Sequence, residues 1–129
     1  MAQLLIIEPD RVLGGFLKKY FSKADYSVTV HTDPQAALTT ADRRPPDALV
    51  AELQLGGRSG VEFLYEFRSY PDWQAAPIII YTNLHPDQVA VYKDALKDLN
   101  VTACLYKSQA GLAELLQAIR QALPAHAEV

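Results

Sequence analysis

Apolar and polar positions along this chain follow two alternating periods. Short unbroken apolar runs of strand length are separated by longer segments in which apolar residues recur every three to four positions. Gln3 to Ile7 is such a run, ended by Glu8-Pro9-Asp10. From Asp10, a candidate N-cap, Val12, Leu13, Phe16, Leu17 and Tyr20 recur at helical spacing. Gly14 and Gly15 weaken that helix by about 1 kcal/mol each relative to alanine, which packing must offset. Residues 26–30 predict a second strand, and Asp33-Pro34 starts a short helix that Arg43-Arg44-Pro45-Pro46 ends. A third strand, Ala48 to Ala51, delivers Glu52 to a glycine-rich loop. Gly60 then opens a helix with the buried stripe Val61, Leu64 and Phe67. Residues 69–76, containing Pro71 and Trp73, read as a loop, and residues 77–82 as the clearest strand, β-branched up to Thr82. A helix is expected over 86–99 and a fifth strand over 102–106, ending at Lys107. Ser108 is placed to cap a last helix with the stripe Leu112, Leu115, Leu116, Ile119 and Leu123. Residues 1–123 make one domain and 124–129 a tail.

Strands alternating with helices, each strand apolar enough to be buried, predict an α/β architecture: a doubly wound five-stranded parallel sheet with helices on both faces. The length of 129 residues is that of a single domain, and no repeat or low-complexity tract is visible. A net charge of −3 gives no reason to expect nucleic acid or an anionic membrane surface as a partner. The single cysteine, Cys104, excludes an internal disulfide or a cysteine-based zinc cluster and fits a cytoplasmic location. No apolar run is long enough to span a membrane, and no fused output module is expected.

The strand-end residues form an informative set, because ligands of open α/β sheets lie outside the carboxyl ends of the strands. They are Glu8, Glu52, Thr82 and Lys107. In order and spacing they resemble the receiver domains of two-component response regulators, over essentially the whole of residues 3–123. In that family an acid pair follows the first strand, a phosphate-accepting aspartate ends the third, Thr or Ser ends the fourth and lysine ends the fifth. The loop Leu53-Gln54-Leu55-Gly56-Gly57-Arg58-Ser59-Gly60 matches the family's loop in length and in its closing glycine. The resemblance implies a flavodoxin-like (β/α)5 fold with strand order 2-1-3-4-5. It also implies a non-enzymatic signalling role and, as partner, a histidine kinase or another signalling protein, with a homodimer as a further arrangement. Glu8, Glu52 and Gln54 fall where the family holds Mg²⁺, and Thr82 and Cys104 fall at its switch positions.

The departures matter as much. Pro9 has no side-chain oxygen where the family has its second acid, and Asp10 is expected to cap the helix instead. Glu52 carries one methylene more than aspartate, in a site where about 1 Å of misplacement can cost ~10²-fold in rate. In this family a glutamate there often resembles the phosphorylated aspartate, so that Lys107 pairs with it permanently and Thr82 hydrogen-bonds to it. Glu8 is alternatively a structural partner of Lys107, Thr82 a loop cap and Arg58 a solvated side chain. Cys104 stands where receivers commonly carry the coupling Tyr or Phe, and Tyr106 shares its strand face. The expectation is a stand-alone atypical receiver, independent of phosphorylation and of any cofactor, that works through its first helix or the face around Tyr92, Cys104 and Tyr106. The alternative is a competent receiver accepting phosphate on Glu52 with Mg²⁺. An unrelated flavodoxin-like cofactor binder is disfavoured because the first loop has no glycine-rich phosphate cradle.

Overall fold

The computed structural model describes residues 1–123; the expected tail, 124–129, lies outside the described residues. The strands are β1 (Gln3–Ile7), β2 (Ser27–His31), β3 (Ala48–Ala51), β4 (Ile78–Thr82) and β5 (Ala103–Tyr106). They pair in parallel in the order β2-β1-β3-β4-β5. The helices are α1 (Arg11–Lys23), α2 (Pro34–Arg43), α3 (Gly60–Ser69), α4 (Pro86–Ala90), α5 (Lys93–Asp98) and α6 (Leu112–Ala122). This is the expected doubly wound sheet, and its order places β1, β3 and β4 at the centre.

Period-two alternation divides the core into two layers. Leu5, Ile7, Leu49, Ala51, Ile78 and Ile80 face α2 to α5. Leu4, Ile6, Ala48, Val50, Ile79 and Tyr81 face α1 and α6. The central strands are buried on both sides, whereas β5, an edge strand, is only half-buried along its length. Asp10 and Asp33 cap α1 and α2 as expected, Asp10 Oδ1 accepting from the amides of Val12 and Leu13.

Four local expectations are corrected. In α1 the buried positions are Gly14, Leu17 and Phe21, while Val12 and Phe16 are 71% and 61% exposed. The apolar arc of this helix is wider than its core stripe, so periodicity alone selected the wrong edge of it. The helix over 86–99 is broken into α4 and α5, with Tyr92 at φ −97° and ψ 10° between them. Its first half is built on the β-branched Val89 and Val91, which propagate a helix poorly. Ser108 does not cap α6. Residues 107–109 form a turn, with the amides of Gln109 and Ala110 donating to Tyr106 O, and the helix starts after Gly111. Within 69–76, Pro71–Trp73 forms a 3-10 turn that buries Trp73 against Phe67, ring centroids 5.1 Å apart.

Candidate functional site

Register builds the site. The Ile7↔Ala51 pairing ends β1 and β3 at one level, and β4, paired Ala51↔Ile80, runs two residues further to Thr82, opposite Tyr106 at the end of β5. Backbone bonds continue the ladder beyond them: Glu52 N donates to Ile7 O at 3.1 Å and Lys107 N to Thr82 O at 2.9 Å. Glu8, Glu52, Thr82 and Lys107 therefore emerge side by side at the carboxyl edge of the sheet.

The loop after β3 is held for the same purpose. Leu53 and Leu55 turn into the core, and Leu55 N donates to Arg58 O across a turn whose Gly56 and Gly57 have φ of +55° and +89°, the left-handed region that glycine enters without penalty. A Cβ on Gly60 would lie 2.6 Å from Leu53 Cα, so only glycine lets α3 start this close to the loop. Arg58 meets Asp33 at 3.5 Å in an exposed pair worth little.

The side chains of Glu8, Glu52 and Lys107 are only 3%, 1% and 9% exposed. Lys107 Nζ lies between the acids, donating to Glu8 Oε1 at 2.6 Å and Glu52 Oε1 at 3.0 Å. Glu52 Oε1 also accepts from Asn83 N at 2.9 Å. Its Oε2 accepts from Gln54 N at 3.0 Å and from the Thr82 hydroxyl. Thr82 Oγ1 in turn accepts from Leu84 N at 3.1 Å, so it both caps the loop and holds Glu52. A carboxylate offers about four lone-pair directions, and here four donors meet Glu52, two on each oxygen.

Burial alone would raise the Glu52 pKa. The hydrogen bonds from Thr82, Gln54, Asn83 and Lys107 outweigh it and hold the carboxyl below its ordinary value. For Lys107, burial pulls downward, but the bonds to Glu8 and Glu52 and their charges keep the ammonium above its ordinary range. The charged forms of Glu52 and Lys107 are thus favoured in spite of their burial, because each supports the other.

Mg²⁺ requires near-octahedral oxygen ligands at about 2.0–2.1 Å. Glu52 has no lone pair left, and Pro9 brings no side-chain oxygen. Glu8 has Lys107 on Oε1 and Asp10 N on Oε2 at 3.1 Å. Gln54, expected in the metal set, has an exposed side chain and turns its backbone amide to Glu52. As arranged, these residues do not fit the ion. Among the described residues no group of three or more His, Cys, Asp or Glu side chains could hold a metal.

The remaining expected residues lie to one side of this cluster. Cys104 and Tyr106 share the β5 face against α4 and α5, half-buried with Tyr92. Burial raises the Cys104 thiol pKa, against a partly offsetting hydrogen bond with Tyr106. Residue reading missed three contributors. The amides of Gln54 and Asn83 carry no side-chain signal. Tyr81, whose ring centroid is 5.7 Å from Lys107 Nζ, donates its hydroxyl to Ala110 O at 2.8 Å and fixes the turn that carries the lysine.

A strand-end acid, hydroxyl and lysine converging on this sheet order define a receiver-type site. The sequence profile of the response regulator receiver domain matches residues 4–120, and the chain belongs to that family. It is 28% identical over 127 residues to the KDP operon transcriptional regulatory protein KdpE of Escherichia coli, covering 98% of this chain and 53% of that protein. It is 31% identical over 80 residues to the transcriptional regulatory protein QseB of Haemophilus influenzae, covering 62% of this chain and 35% of that protein. The chain thus spans about half the length or less of these relatives. Among solved structures, the chemotaxis response regulator CheY4 of Vibrio cholerae superposes with a TM-score of 0.82 at 22% identity, covering 95% of this chain and 99% of that one. The BeF3-activated receiver domain of Klebsiella pneumoniae RstA superposes with a TM-score of 0.78 at 24% identity, covering 92% and 96%. These likenesses establish the fold. No helix among the described residues is long and apolar enough to cross a membrane.

Proposed function

We propose that this receiver works without phosphorylation, as a protein interaction module held in one state by Glu52. The observation that carries the reading is the complete engagement of the Glu52 carboxylate by Thr82, Asn83, Gln54 and Lys107. Attack on a phosphoryl donor needs a free lone pair in line with the phosphorus, with the developing charge neutralised. Here the lone pairs are engaged, the lysine is shared with Glu8, and the metal that would neutralise the donor has no adequate ligand set. The donors that would receive phosphoryl oxygens in the family instead receive the glutamate's own oxygens, which supports reading Glu52 as a fixed stand-in for the phosphorylated acid.

Two surfaces are available for contact with a kinase, another signalling protein or a second copy. On α1, Val12 and Phe16 are exposed and the helix carries Arg11, Lys18, Lys19 and Lys23 with no acid. The second surface is the half-buried face of Tyr92, Cys104 and Tyr106. Incubation with acetyl phosphate and Mg²⁺, followed by intact mass measurement, tests the proposal. It predicts no added phosphoryl group on the chain. A stable adduct mapped to Glu52 would instead support the competent-receiver reading, in which Glu52, Thr82 and Lys107 carry the transfer.

A further inference from the structure

Helix α1 presents an apolar ridge to solvent beside a row of cations. Val12 and Phe16 are 71% and 61% exposed. With the exposed Lys19 and Lys23 they stand at i, i+4, i+7 and i+11, so the four side chains share one outward stripe. The helix holds four of the chain's 12 cations and none of its 15 acids. The net charge of −3 therefore averages a basic α1 with an acidic remainder.

On the opposite face of the sheet, α2 and α3 leave a groove between them. Its larger part, about 270 Å³, is lined by Gln35, Leu38, Thr39, Asp42, Tyr70 and Trp73. Tyr70 and Trp73 lie with ring centroids 4.5 Å apart, so this part offers aromatic surface. A smaller cleft of about 70 Å³ lies along the same two helices, where Glu62, Phe63 and Glu66 face Pro34. Asp42, Glu62 and Glu66 have no ion-pair partner among the described residues. The cations nearby do not neutralise them. Arg58 pairs with Asp33, Arg68 donates to backbone carbonyls, and Arg43, at the end of α2, is exposed and lines neither cleft.

We propose that this groove receives helix α1 of a second copy of the chain. Phe16 enters the larger part, against Leu38, Tyr70 and Trp73, while Lys19 and Lys23 reach the acids of the rim. Amphipathic helices are recognised in grooves through anchors spaced in this way, and an aromatic anchor contributes most where it fills a pocket. Since α1 and the groove lie on opposite faces of the sheet, one neighbour cannot occupy both. The contact is therefore heterologous: each copy gives α1 to one neighbour and its groove to another, which builds open chains or rings. This assigns an occupant to one of the two contact surfaces and so rests on the reading of the chain as an interaction module. It does not involve the Glu52 carboxylate, so the acetyl phosphate experiment and the one below fail separately.

The test is sedimentation velocity of the full chain over a concentration series, with the emission of Trp73, its one tryptophan, followed in the same samples. Wild type is expected to form species larger than a dimer as concentration rises, to shift the Trp73 emission as it does so, and to dissociate in high salt. Phe16→Asp removes the α1 anchor and leaves the groove intact, whereas a Thr39→Arg/Glu66→Arg variant reverses the charge of the groove and leaves α1 intact. Each alone is expected to be monomeric, with a thermal midpoint close to wild type because all three positions are exposed. An equimolar mixture of the two is expected to form a dimer and nothing larger, since one productive contact remains. A wild type that stays monomeric up to millimolar concentration would assign the groove to another occupant and overturn the proposal. Association that persists in either variant alone, or a mixture that stays monomeric, would overturn it as well.

Discussion

Replacing Lys107 with methionine removes the cation that lies between two buried carboxylates and nearly preserves the volume of the stem. Glu52 keeps the donors Thr82, Gln54 and Asn83, whereas Glu8 keeps only Asp10 N. An exposed ion pair contributes at most about 1 kcal/mol, but these side chains are 3% and 1% exposed. Removing one partner of a buried pair costs about 3–5 kcal/mol, mostly from the charge left uncompensated. Here two acids are left facing one another, so the upper part of that range applies at neutral pH. Protonating one acid relieves the repulsion, so the difference from wild type narrows as the pH falls into the carboxylate range. Urea unfolding of both proteins at neutral and mildly acidic pH measures this directly. A loss at neutral pH below about 1 kcal/mol, or one independent of pH, would refute the claim that the cluster is buried and mutually neutralised.

Further expectations follow from single contacts. Arg68 donates to the carbonyls of Leu99, Trp73, Ala76 and Asn100 at 2.8, 2.8, 2.6 and 3.3 Å, tying the end of α3 to the loops before β4 and β5. Arg68→Met should cost about 1–3 kcal/mol by urea unfolding and speed amide exchange in 73–76 and 99–101. Gly60→Ala should lower the thermal midpoint strongly, by about 1–3 kcal/mol in stability, because its Cβ would meet Leu53 backbone at 2.6 Å. The folded Glu52 pKa lies below its ordinary 4.5, so its contribution is complete above that pH and is lost as the pH falls through the folded value. The folded Lys107 pKa lies above its ordinary 10.5, so its contribution is complete below that pH and is lost as the pH rises through the folded value. His31 and Cys104, both shifted by burial, also link stability to pH between those limits. The pair is therefore checked by the difference between the profiles of wild type and a Glu52→Gln/Lys107→Met variant, which should shrink beyond both limits. Phe16→Ala should change stability by no more than about 0.5 kcal/mol, while pull-down of a partner that uses α1 should be lost.

The sheet was legible because parallel strands buried on both faces leave continuous apolar runs, and β1, β3 and β4 could be read directly in that way. The site was legible because its side chains stand immediately after those runs, where Glu8, Glu52, Thr82 and Lys107 are counted off from the strand ends. What escaped depends on packing direction and backbone. Val12 and Phe16 have the right spacing for a core and yet face outward, because α1 is rotated to bring Gly14 onto Val30. The break at Tyr92 has no glycine or proline to announce it. Ser108 is a good cap by residue type, but the turn that aims Lys107 at the two acids occupies its position. Half of the Glu52 hydrogen bonds come from the amides of Gln54 and Asn83, groups that every residue but proline carries.

The central claim is that Glu52 already occupies the donors a phosphoryl group would need. Titration of the labelled protein with Mg²⁺, alone and with beryllofluoride, while following the amides of Gln54 and Asn83 and the fluorescence of Trp73, tests it most directly. No saturable change is expected at those positions. A saturable, beryllofluoride-dependent shift localised to Gln54 and Asn83 would show that the carboxylate yields its partners to an incoming group, and would contradict it.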